Sequence, residues 1–309
     1  MIGIQAIFTE IPAERLDNAP REVELRLKEG TLEKRIGVRR IARKAPEQET
    51  SDLCVAAALK LFASGLASRS QVDCLIVVTQ NPDGHGLPQT SAIVHGKLGL
   101  QERCAAFDIG LGCSGYVYAL SIAKSFMEAN GLSCGLLFTA DPYSPIIDRD
   151  DRRTALLFGD AAAVTLLSDQ PRWTIGRFDM GTIGGCGQAL EVRLNRDGKL
   201  YMDGKAVLSF SVSKVPASLQ NAVRLNGLTV DRIDRFVLHQ GSRVVVESIG
   251  QALNAPEKVE FYAEDYGNTV SSSIPIALSQ NLKPGDRHVA ISGFGVGLSW
   301  ASTVISRLD

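Results

Sequence analysis

A cysteine flanked by glycines is the first residue in the chain whose setting suggests chemistry. Cys113 lies in the segment FDIGLGCSGYVYAL, where an apolar strand end passes through Gly110 and Gly112 into a helical pattern. Glycine lets the backbone turn sharply and approach a ligand closely. The free N–H groups at a helix start favour negative charge and can bind an oxyanion, so we expect a stabilised Cys113 thiolate. Most cysteines are simply buried, but this strand–glycine–helix context favours a nucleophile.

A histidine and an asparagine occur in comparable settings later in the chain. His239 follows the apolar run RFVL and precedes a Gly/Ser turn, so its side chain is expected to face a cleft at the carboxyl end of a strand. Asn268 follows Gly267 in YGNTVSSSIPIAL and heads another predicted helix. Each has an ordinary structural role available, as a turn histidine or as a helix N-cap. Their occurrence together with Cys113 favours a catalytic set.

The glycine-rich segment SGFGVGLSWAS, residues 292–302, lies between two predicted strands. Its alternate glycines, Gly293, Gly295 and Gly297, permit a turn that can aim a backbone N–H group at a carbonyl oxygen. No dinucleotide-binding fingerprint precedes a helix here, so the segment does not predict a Rossmann cofactor site.

Short apolar runs alternate with helical patterns along the chain, which is typical of a layered α/β fold. We expect strands at residues 72–80, 134–140, 160–167, 233–239, 287–292 and 298–307. The helical spacing of apolar positions predicts helices at 50–65, 115–129, 205–225 and 243–253. These elements place Cys113 just before a predicted helix and His239 at the end of a predicted strand.

The two halves of the chain resemble each other. The strand segment VDCLIVVTQ resembles IDRFVLHQG, which begins at residue 233, and the segment around Cys113 resembles the one around Asn268. A duplicated α/β unit explains both the length and the order of the elements, and it would bring those two segments to one place. We therefore predict two halves, with the nucleophile in 1–168 and the histidine and asparagine in 169–309.

The composition sets limits on the class of protein. The 309 residues are 45% apolar and 22% charged, which is enough for a large core. A formal net charge of −1 gives no reason to expect nucleic acid or an anionic membrane as the main partner. The sequence contains no basic and apolar leader, and no uncharged apolar run near the roughly 18 residues of a spanning helix. We expect a cytoplasmic protein.

The other cysteines and histidines give no further motif. None of the six cysteines forms a CxxC pair, so the sequence predicts neither a zinc site nor a dithiol redox centre. Four cysteines are expected to be small buried hydrophobic residues: Cys54, Cys74, Cys104 and Cys134. Cys186 lies in a GGCG loop, and its role stays open. The remaining histidines are expected to be structural or surface residues: His85, His95 and His288.

With these residues and motifs, the chain resembles β-ketoacyl-acyl carrier protein synthase III, a condensing enzyme of the thiolase superfamily. The resemblance runs nearly end to end and follows the order of the family's motifs. Besides the segments already described, the matching stretches are RIGVRRIARKAPEQETSDL (35–53), DRRTALLFGDAAAV (151–164) and GFGVGLSW (293–300). The resemblance implies the duplicated five-layer α/β/α/β/α sandwich of that family and a homodimer.

The resemblance also implies a role for each candidate residue. Cys113 is expected to attack an acyl thioester and to carry its acyl group. His239 and Asn268 are then expected to bind the thioester carbonyl of a malonyl group on acyl carrier protein as CO₂ leaves. The backbone N–H groups of Cys113 and Val296 would form the oxyanion hole. The residues expected to bind the substrate or carrier are Arg35, Arg152, Leu87, Leu208, Ser242 and Phe294.

The implied product is a 3-oxoacyl thioester of fatty acid or specialised polyketide-type biosynthesis. No metal and no permanently bound cofactor are implied, because thioesters of CoA or phosphopantetheine are the substrates. Members with a CoA-linked primer often have a tryptophan in the early loop and an arginine after the active-site histidine. Here those positions are Thr31 and Val244, and Arg243 lies one residue, or about 100°, away on its helix. A carrier-bound or unusual acyl donor is therefore an alternative to acetyl-CoA.

Other functions fit part of the same constellation. A non-decarboxylating acyltransferase of this fold would pass the acyl group from Cys113 to a hydroxyl or amine, although the intact Asn268 favours condensation. A papain-like protease also uses Cys, His and Asn, but CSGYVYAL lacks its local signature. A non-catalytic partner subunit would be expected to lack the nucleophile. Release of CO₂ from a malonyl thioester separates condensation from acyl transfer.

Overall fold

The computed structural model describes residues 1–192 and 197–308, and each strand and helix range predicted from the apolar spacing overlaps an observed element of the same type. The strands are β1 Gly3–Glu10, β2 Arg15–Asp17, β3 Arg40–Ala42, β4 Cys74–Val78, β5 Ala105–Ile109, β6 Cys134–Ala140, β7 Ala162–Ser168, β8 Trp173–Thr182, β9 Leu190–Val192, β10 Leu200–Met202, β11 Arg235–Leu238, β12 His288–Gly295 and β13 Ser299–Arg307. The helices are α1 Ala19–Glu24, α2 Thr50–Ala63, α3 Thr90–Leu98, α4 Gly115–Asn130, α5 Gly204–Leu225, α6 Arg243–Ala252 and α7 Ser273–Asn281.

Two long strands, β1 and β8, were not expected from the sequence. Most of their residues are only half-buried, and polar side chains such as Thr9, Arg177 and Asp179 interrupt their apolar runs. A strand with this pattern gives a weak signal, because the period-2 alternation is broken along much of its length. Both strands nevertheless lie in the middle of the main sheet.

The main sheet runs through both halves of the chain, in the order β11-β12-β13-β8-β1-β7-β6-β4-β5. In the first half, β4 pairs in parallel with β5 and β6, while β7 and β1 continue in antiparallel pairing. In the second half, β11 and β12 are parallel, while β13 and β8 are antiparallel to their neighbours. The two halves meet between β1 and β8, where Ile4 pairs with Trp173.

The hydrophobic clusters define the layers. Helices α2 and α3 cover the outer face of the first-half strands through a cluster that contains Leu53 and Val77. Helices α4 and α7 lie between the two half-sheets, because their apolar residues share one cluster with Ile76 of the first half and Ile291 of the second. Helices α5 and α6 cover the outer face of the second-half strands. This is the five-layer α/β/α/β/α sandwich that the sequence predicts.

The order of elements repeats between the halves. The series β1-α2-β4-α3 corresponds to β8-α5-β11-α6, and α4-β6-β7 corresponds to α7-β12-β13. In the second half the place of β5 is taken by Val259, which forms an isolated parallel bridge with Phe236. Because Cys113 precedes α4 and Asn268 precedes α7, the repeat places both residues at the centre of the molecule. The boundary predicted after residue 168 coincides with the end of β7 and stays a prediction, since the sheet continues across it.

The longest helix in the described part of the chain is α5, whose first turn reaches the site. Asp203 caps it by accepting hydrogen bonds from the N–H groups of Lys205 and Ala206 at 3.0 and 3.1 Å. Aspartate is among the preferred residues at this position. Neither α5 nor another helix of the described residues combines the length and the apolar character that a membrane crossing requires.

Candidate active site

Cys113 lies at the junction between β5 and α4, between the two half-sheets. Strand β5 ends at Ile109, and α4 begins at Gly115 with Ser114 as its N-cap. Cys113 therefore lies immediately before the helix, close to the expected start, and it is 3% exposed. Helix α4 is one of the two helices that lie between the half-sheets. A residue just before α4 is therefore placed near the centre of the molecule.

Two glycines let the backbone pass close to the nucleophile. A Cβ atom at Gly112 would lie 2.4 Å from the side-chain oxygen of Gln80, and one at Gly295 would lie 2.8 Å from the Sγ atom of Cys113. Both distances are far below van der Waals contact, and the φ of Gly295 is also 152°. Only glycine fits these two positions without displacing its neighbours.

The Cys113 thiol is protonated in the resting protein. Burial raises its pKa to about 12, and the nearby Asp141 carboxyl acts in the same direction. The backbone N–H groups of Val296 and of Cys113 itself lower the pKa by less than burial raises it. The expected stabilised thiolate is therefore wrong, because desolvation of a fully buried thiol outweighs the donors around it. The thiol must lose its proton as it attacks.

His239 is the first residue after β11 and is 3% exposed. Burial lowers its pKa to about 4, while the Val270 backbone acts in the opposite direction. The imidazole is therefore neutral at physiological pH. Its Nδ1 atom lies 2.8 Å from the Oγ atom of Ser273, and the edge-on ring of Phe294 lies 5.6 Å from it between centroids. These contacts hold the ring at the end of the strand.

Asn268 is buried beside the same space, but it does not head a helix. Helix α7 begins at Ser273 after a 3₁₀ turn at Val270–Ser272, so the predicted helix start at Asn268 is wrong. Val270 has a φ of 52°, an outlier for a β-branched residue that interrupts the helical path. The Asn268 Oδ1 accepts a hydrogen bond of 2.9 Å from the Val270 N–H, and its Nδ2 donates to the Gly241 carbonyl at 3.4 Å. The second Nδ2 proton remains for a ligand.

An inner cavity of about 80 Å³ brings the three residues together. Cys113, His239 and Asn268 all line it, as do Ser242 and Phe294. Apolar side chains form most of the remaining wall: Leu157, Phe158, Leu190, Met202, Val207 and Val245. The cavity therefore contains one thiol, the side chains of His239 and Asn268 and the hydroxyl groups of Ser211 and Ser242 in otherwise apolar surroundings, where fixed donors act strongly on developing charge.

An outer funnel of about 460 Å³ leads to the inner cavity, and the two share several lining residues, among them Ser242 and Val245. The sequence-predicted residues that line the funnel are Arg35, Arg152, Leu208 and Ser242. Thr31 and Val244, which stand where relatives have an adenine-binding tryptophan and arginine, also line it. These two positions therefore supply neither an aromatic nor a cationic side chain to the funnel.

Three further funnel residues were missed from the sequence: Arg153, Tyr201 and Lys205. The guanidinium of Arg153 lies over the Tyr201 ring at 5.2 Å, a cation–π arrangement. The Arg152-Arg153 pair and a lysine in the first turn of α5 were signals that could have identified this set. The funnel thus contains four cationic side chains and the carboxylate of Asp203, which caps α5.

Two other residues lie away from the cavities. Leu87 is 88% exposed on the segment between β4 and α3 and lines neither cavity in a single chain, so its place in the channel stays a prediction. Arg243 pairs with Glu264 and Glu247 and lies over the Phe261 ring at 5.2 Å. It does not line the funnel, as the one-residue displacement predicts.

The other cysteines show that burial alone does not mark the nucleophile. Cys54, Cys74 and Cys104 are buried as expected, Cys134 is half-buried, and Cys186 is exposed. Burial raises the pKa of Cys74 to about 12, the same value as for Cys113. What distinguishes Cys113 is its place in a cavity with His239 and Asn268. Within residues 1–192 and 197–308, no group of His, Cys, Asp and Glu side chains is arranged to hold a metal ion.

Comparison with known proteins agrees with this geometry. Residues 107–184 match the sequence profile of the family 3-oxoacyl-[acyl-carrier-protein (ACP)] synthase III, and residues 223–307 match the profile of its C-terminal region. The β-ketoacyl-[acyl-carrier-protein] synthase III of Latilactobacillus sakei is 35% identical over 298 residues, which cover 89% of this chain and 90% of that protein. The chain belongs to the 3-oxoacyl-[acyl-carrier-protein] synthase III family.

Solved structures of synthase III proteins share the whole fold. The β-ketoacyl-[acyl carrier protein] synthase III of Thermus thermophilus aligns with a TM-score of 0.90 and 31% identity over 99% of both chains. The priming β-ketosynthase of the R1128 polyketide biosynthetic pathway aligns with a TM-score of 0.90 and 26% identity, over 100% of this chain and 97% of that one. The synthase III profiles include Cys113 in the first match and His239, Asn268 and Val296 in the second.

Proposed function

We propose that the chain catalyses the decarboxylative condensation of a short acyl thioester with a malonyl thioester on acyl carrier protein, through an acyl-Cys113 intermediate. The product is a 3-oxoacyl thioester for fatty acid or polyketide-type biosynthesis. The observation that carries the proposal is the inner cavity, where a buried thiol lies with the neutral side chains of His239 and Asn268. Membership of the synthase III family and the structural likeness to a priming ketosynthase support it.

The first half-reaction transfers the primer to Cys113. Sγ bonds to the carbonyl carbon of the primer, the thioester C–S bond breaks, and the thiol proton ends on the departing CoA or phosphopantetheine thiol. The carbonyl oxygen carries a negative charge between these events. The N–H groups of Cys113 and Val296, which already interact with the thiol, are the donors for that charge. These steps use only groups of the chain itself, and the thioesters enter as substrates.

The second half-reaction joins the two substrates. The malonyl group loses its carboxylate as CO₂, and the electron pair of the broken bond forms an enolate on the thioester. The enolate carbon then bonds to the acyl carbon, the bond to Cys113 breaks, and the thiolate takes a proton from water. Loss of CO₂ requires no strong base, but it requires donors for the enolate oxygen. His239 and Asn268 are neutral side chains in the right place for that role.

The outer funnel favours a primer that arrives on a carrier. Its four cationic side chains, Arg35, Arg152, Arg153 and Lys205, suit the phosphate of a phosphopantetheine arm. Thr31 and Val244 replace the side chains that would bracket the adenine of CoA. We therefore place the phosphopantetheine arm in the funnel, with the carrier protein docked at its rim.

The size of the inner cavity supports a short primer. About 80 Å³ corresponds to a handful of water-sized groups, since one water needs roughly 10–15 Å³ of such space. Tyr143 belongs to the same buried cluster as Cys113 and packs behind the cavity-lining Phe158, with ring centroids 5.1 Å apart. The Tyr143 hydroxyl also donates to the Gln80 side chain at 3.1 Å. We therefore expect primers of a few carbons, and longer ones in a Tyr143→Ala variant.

Intact mass spectrometry tests the acylation step. The purified protein is incubated with acyl-CoA and acyl-carrier thioesters from acetyl to dodecanoyl. We expect adducts of short acyl groups, preferentially from the carrier, and no adduct in a Cys113→Ala control. If no donor of either kind acylates the wild-type protein, the proposed mechanism is wrong.

A second assay tests the condensation. The acylated protein is mixed with labelled malonyl-carrier thioester, and released CO₂ and the 3-oxoacyl product are measured together. We expect both in equal amounts. Transfer of the acyl group to an alcohol or amine without release of CO₂ would replace this proposal with a non-decarboxylating acyltransferase.

We also propose that the chain forms a homodimer through β5. This strand pairs on one side with β4, ends the sheet, and is half-buried along its whole length in a single chain. The unpaired N–H and C=O groups of such an edge are satisfied by an identical strand in antiparallel orientation. Sedimentation equilibrium is expected to give the dimer mass, and an Ala106→Pro substitution in β5 is expected to shift it toward the monomer.

A further inference from the structure

Two buried serines form a hydroxyl pair beside the nucleophile. The Oγ atoms of Ser114 and Ser299 lie 2.8 Å apart, and the Ser299 hydroxyl donates to the Val296 carbonyl at 2.9 Å. Ser114 directly follows Cys113, and Ser299 is three residues after Val296. Ser114 is fully buried and Ser299 is 4% exposed, so bulk water does not compete for these contacts. This serine pair joins the two segments that carry the proposed oxyanion hole.

The contacts define the direction of both hydroxyl protons. The Val296 carbonyl can only accept, so the Ser299 proton is directed to it. The Ser299 oxygen then accepts the Ser114 proton through a lone pair. Among the hydrogen bonds of the described residues, the Ser114 Oγ takes part in no other, and it does not cap α4. The serine pair thus runs in one direction, from the start of α4 to the turn between β12 and β13.

Val296 lies in a turn whose own backbone restrains it weakly. Strand β12 ends at Gly295, and β13 begins at Ser299. Val296 therefore stands between Gly295 and Gly297, whose φ values are 152° and 134°. Glycine adopts many backbone conformations at little cost, so it does not fix the direction of the peptide beside it. The direction of the Val296 N–H group depends on contacts that hold the turn, and the serine pair supplies one of them.

The end of β12 and the turn after it pack closely on the nucleophile. A Cβ atom at Gly293 would lie 2.8 Å from the Cys113 carbonyl oxygen and 2.9 Å from the Ser114 Cα. The Val296 N–H already interacts with the Cys113 thiol and lowers its pKa. An oxyanion donor is effective only when it is held at hydrogen-bond distance from the developing charge. A small movement of the turn is therefore expected to weaken this donor.

We propose that Ser114 and Ser299 are positioning residues that hold the Val296 N–H group in the oxyanion hole. The inference rests on the proposed acyl transfer to Cys113. Neither serine lines the inner cavity or the funnel, so both act through the Val296 backbone. Ser299→Ala removes the donor to the Val296 carbonyl and is expected to slow acylation about 10-fold, less than complete loss of an oxyanion donor. Ser114→Ala keeps that donor and is expected to slow acylation about twofold.

The two substitutions are expected to be non-additive. Ser114 acts only through Ser299, so the double alanine variant should acylate at the rate of Ser299→Ala alone. Ser299→Thr keeps the hydroxyl and is expected to retain the wild-type rate. The rates are measured by quenched-flow mass spectrometry with the thioester that acylates the wild-type protein fastest. The change should lie in the maximal rate and leave the KM for the thioester unchanged, because neither serine lines the funnel.

Ser302→Ala is the matched control. Its Oγ lies 2.8 Å from the Ser292 Oγ, so it belongs to a second hydroxyl pair in the same strands, β12 and β13. Both of these serines are fully buried, and their contact does not involve the turn at Val296. We expect wild-type acylation in this variant. General damage to the two strands would slow both alanine variants, whereas the proposed effect is specific to Ser299.

Infrared spectroscopy of acyl-Cys113 with an isotope-labelled carbonyl reads the oxyanion hole directly, because hydrogen-bond donors lower the stretching frequency of a carbonyl group. We expect a higher frequency in Ser299→Ala than in the wild type and in Ser302→Ala. Alkylation of Cys113 by iodoacetamide at one alkaline pH requires no thioester and reports the thiolate. Because the Val296 N–H lowers the pKa of Cys113, alkylation should be slower in Ser299→Ala than in Ser302→Ala.

A Ser299→Ala protein with the wild-type acylation rate and carbonyl frequency overturns the proposal. Equal slowing in Ser299→Ala and Ser302→Ala overturns it as well, and additive effects of the two substitutions remove Ser114 from it. Failure of the proposed function looks different, since the wild-type protein would then form no acyl-Cys113 with any donor. The alkylation comparison decides in that case, and equal rates overturn the proposal. If Ser299→Ala does not fold, an unchanged acylation rate in Ser114→Ala overturns it.

Discussion

The inner cavity and the outer funnel lie end to end, but their polar groups are of opposite kinds. The groups of the inner cavity are buried and neutral at pH 7, with the pKa of Cys113 raised to about 12 and that of His239 lowered to about 4. The funnel instead has exposed cations such as Arg35, Arg152 and Lys205. Burial strengthens fixed donors and makes free charges costly, whereas exposed charges are inexpensive and screened. Bond formation is thus proposed to occur in the buried, neutral cavity, and substrate binding in the exposed, cationic funnel.

Removing a donor from the inner cavity is expected to have the largest effect. His239→Ala and Asn268→Ala should each slow CO₂ release by about 10² to 10³-fold, because an oxyanion donor in a dry site contributes that much. Acylation of Cys113, measured by mass spectrometry, should persist in both variants. His288→Ala is the control, since its ring contacts Ser306 away from the cavities. If acylation and CO₂ release slowed equally, His239 and Asn268 would not act specifically in the second half-reaction.

A methyl group beside the nucleophile is expected to act on the other half-reaction. In Gly295→Ala the new Cβ would lie 2.7 Å from the Cβ and 2.8 Å from the Sγ of Cys113. The displacement separates the thiol from the Val296 N–H, so acylation should slow about 10²-fold. Gly285→Ala, where the added atom meets nothing within 4 Å, should acylate normally. Normal acylation in Gly295→Ala would show that the close packing at Sγ is not required.

A change in the funnel is expected to be smaller and to affect binding. Arg152→Ala should raise the KM for the carrier-bound thioester about two- to fivefold, because an exposed charge contributes up to about 1 kcal/mol. The kcat should not change, and the difference should shrink at high salt. Arg232→Ala, an exposed cation outside the funnel, is the control. A fall in kcat with constant KM would place Arg152 in the chemistry of the inner cavity.

The pH dependence of condensation is expected to show the smallest change. His239 stays neutral well above its pKa of about 4, so the rate of CO₂ release should be nearly flat from about pH 6 to 8. In the unfolded chain, histidine has a pKa of about 6.5. Between about pH 4 and 6.5, His239 therefore binds a proton in the unfolded chain and stays unprotonated in the folded protein. The free energy of unfolding should therefore fall as the pH drops from about 6.5 to 4. Urea unfolding of the wild type and of His239→Gln, which lacks this contribution, measures it.

Much of the site was predictable because its signals are local. Cys113 stands between an apolar run and a helical pattern, and His239 directly follows an apolar run, so each could be placed at a strand end without knowledge of the packing. Strand β6 was predicted with the correct ends because it lies within the sheet and gives a continuous apolar run. The similarity of the two halves added the remaining step, since it brought Asn268 next to Cys113.

The features that sequence reasoning missed depend on distant packing. The helix start predicted at Asn268 is wrong because Val270 has a φ of 52°. A valine in the sequence gives no sign of a positive φ. The wrong expectation of a thiolate arose because desolvation depends on layers that close around Cys113 from both halves. The contact between His239 and Ser273 joins residues 34 apart in the chain, and a serine inside SSS gives no sign of which hydroxyl reaches a ring.

The two ends of the main sheet differ, and this limits how copies of the chain can associate. One end is the open edge of β5, whereas at the other end β11 has Val259 bridged to Phe236 on its outer side. If two copies pair through β5, each remaining edge is the blocked one. A third chain would then have to pair with an edge that is already partly covered, which favours two chains over a longer sheet. The incomplete repeat at Val259 thus covers part of the β11 edge, which disfavours pairing of that edge with another chain.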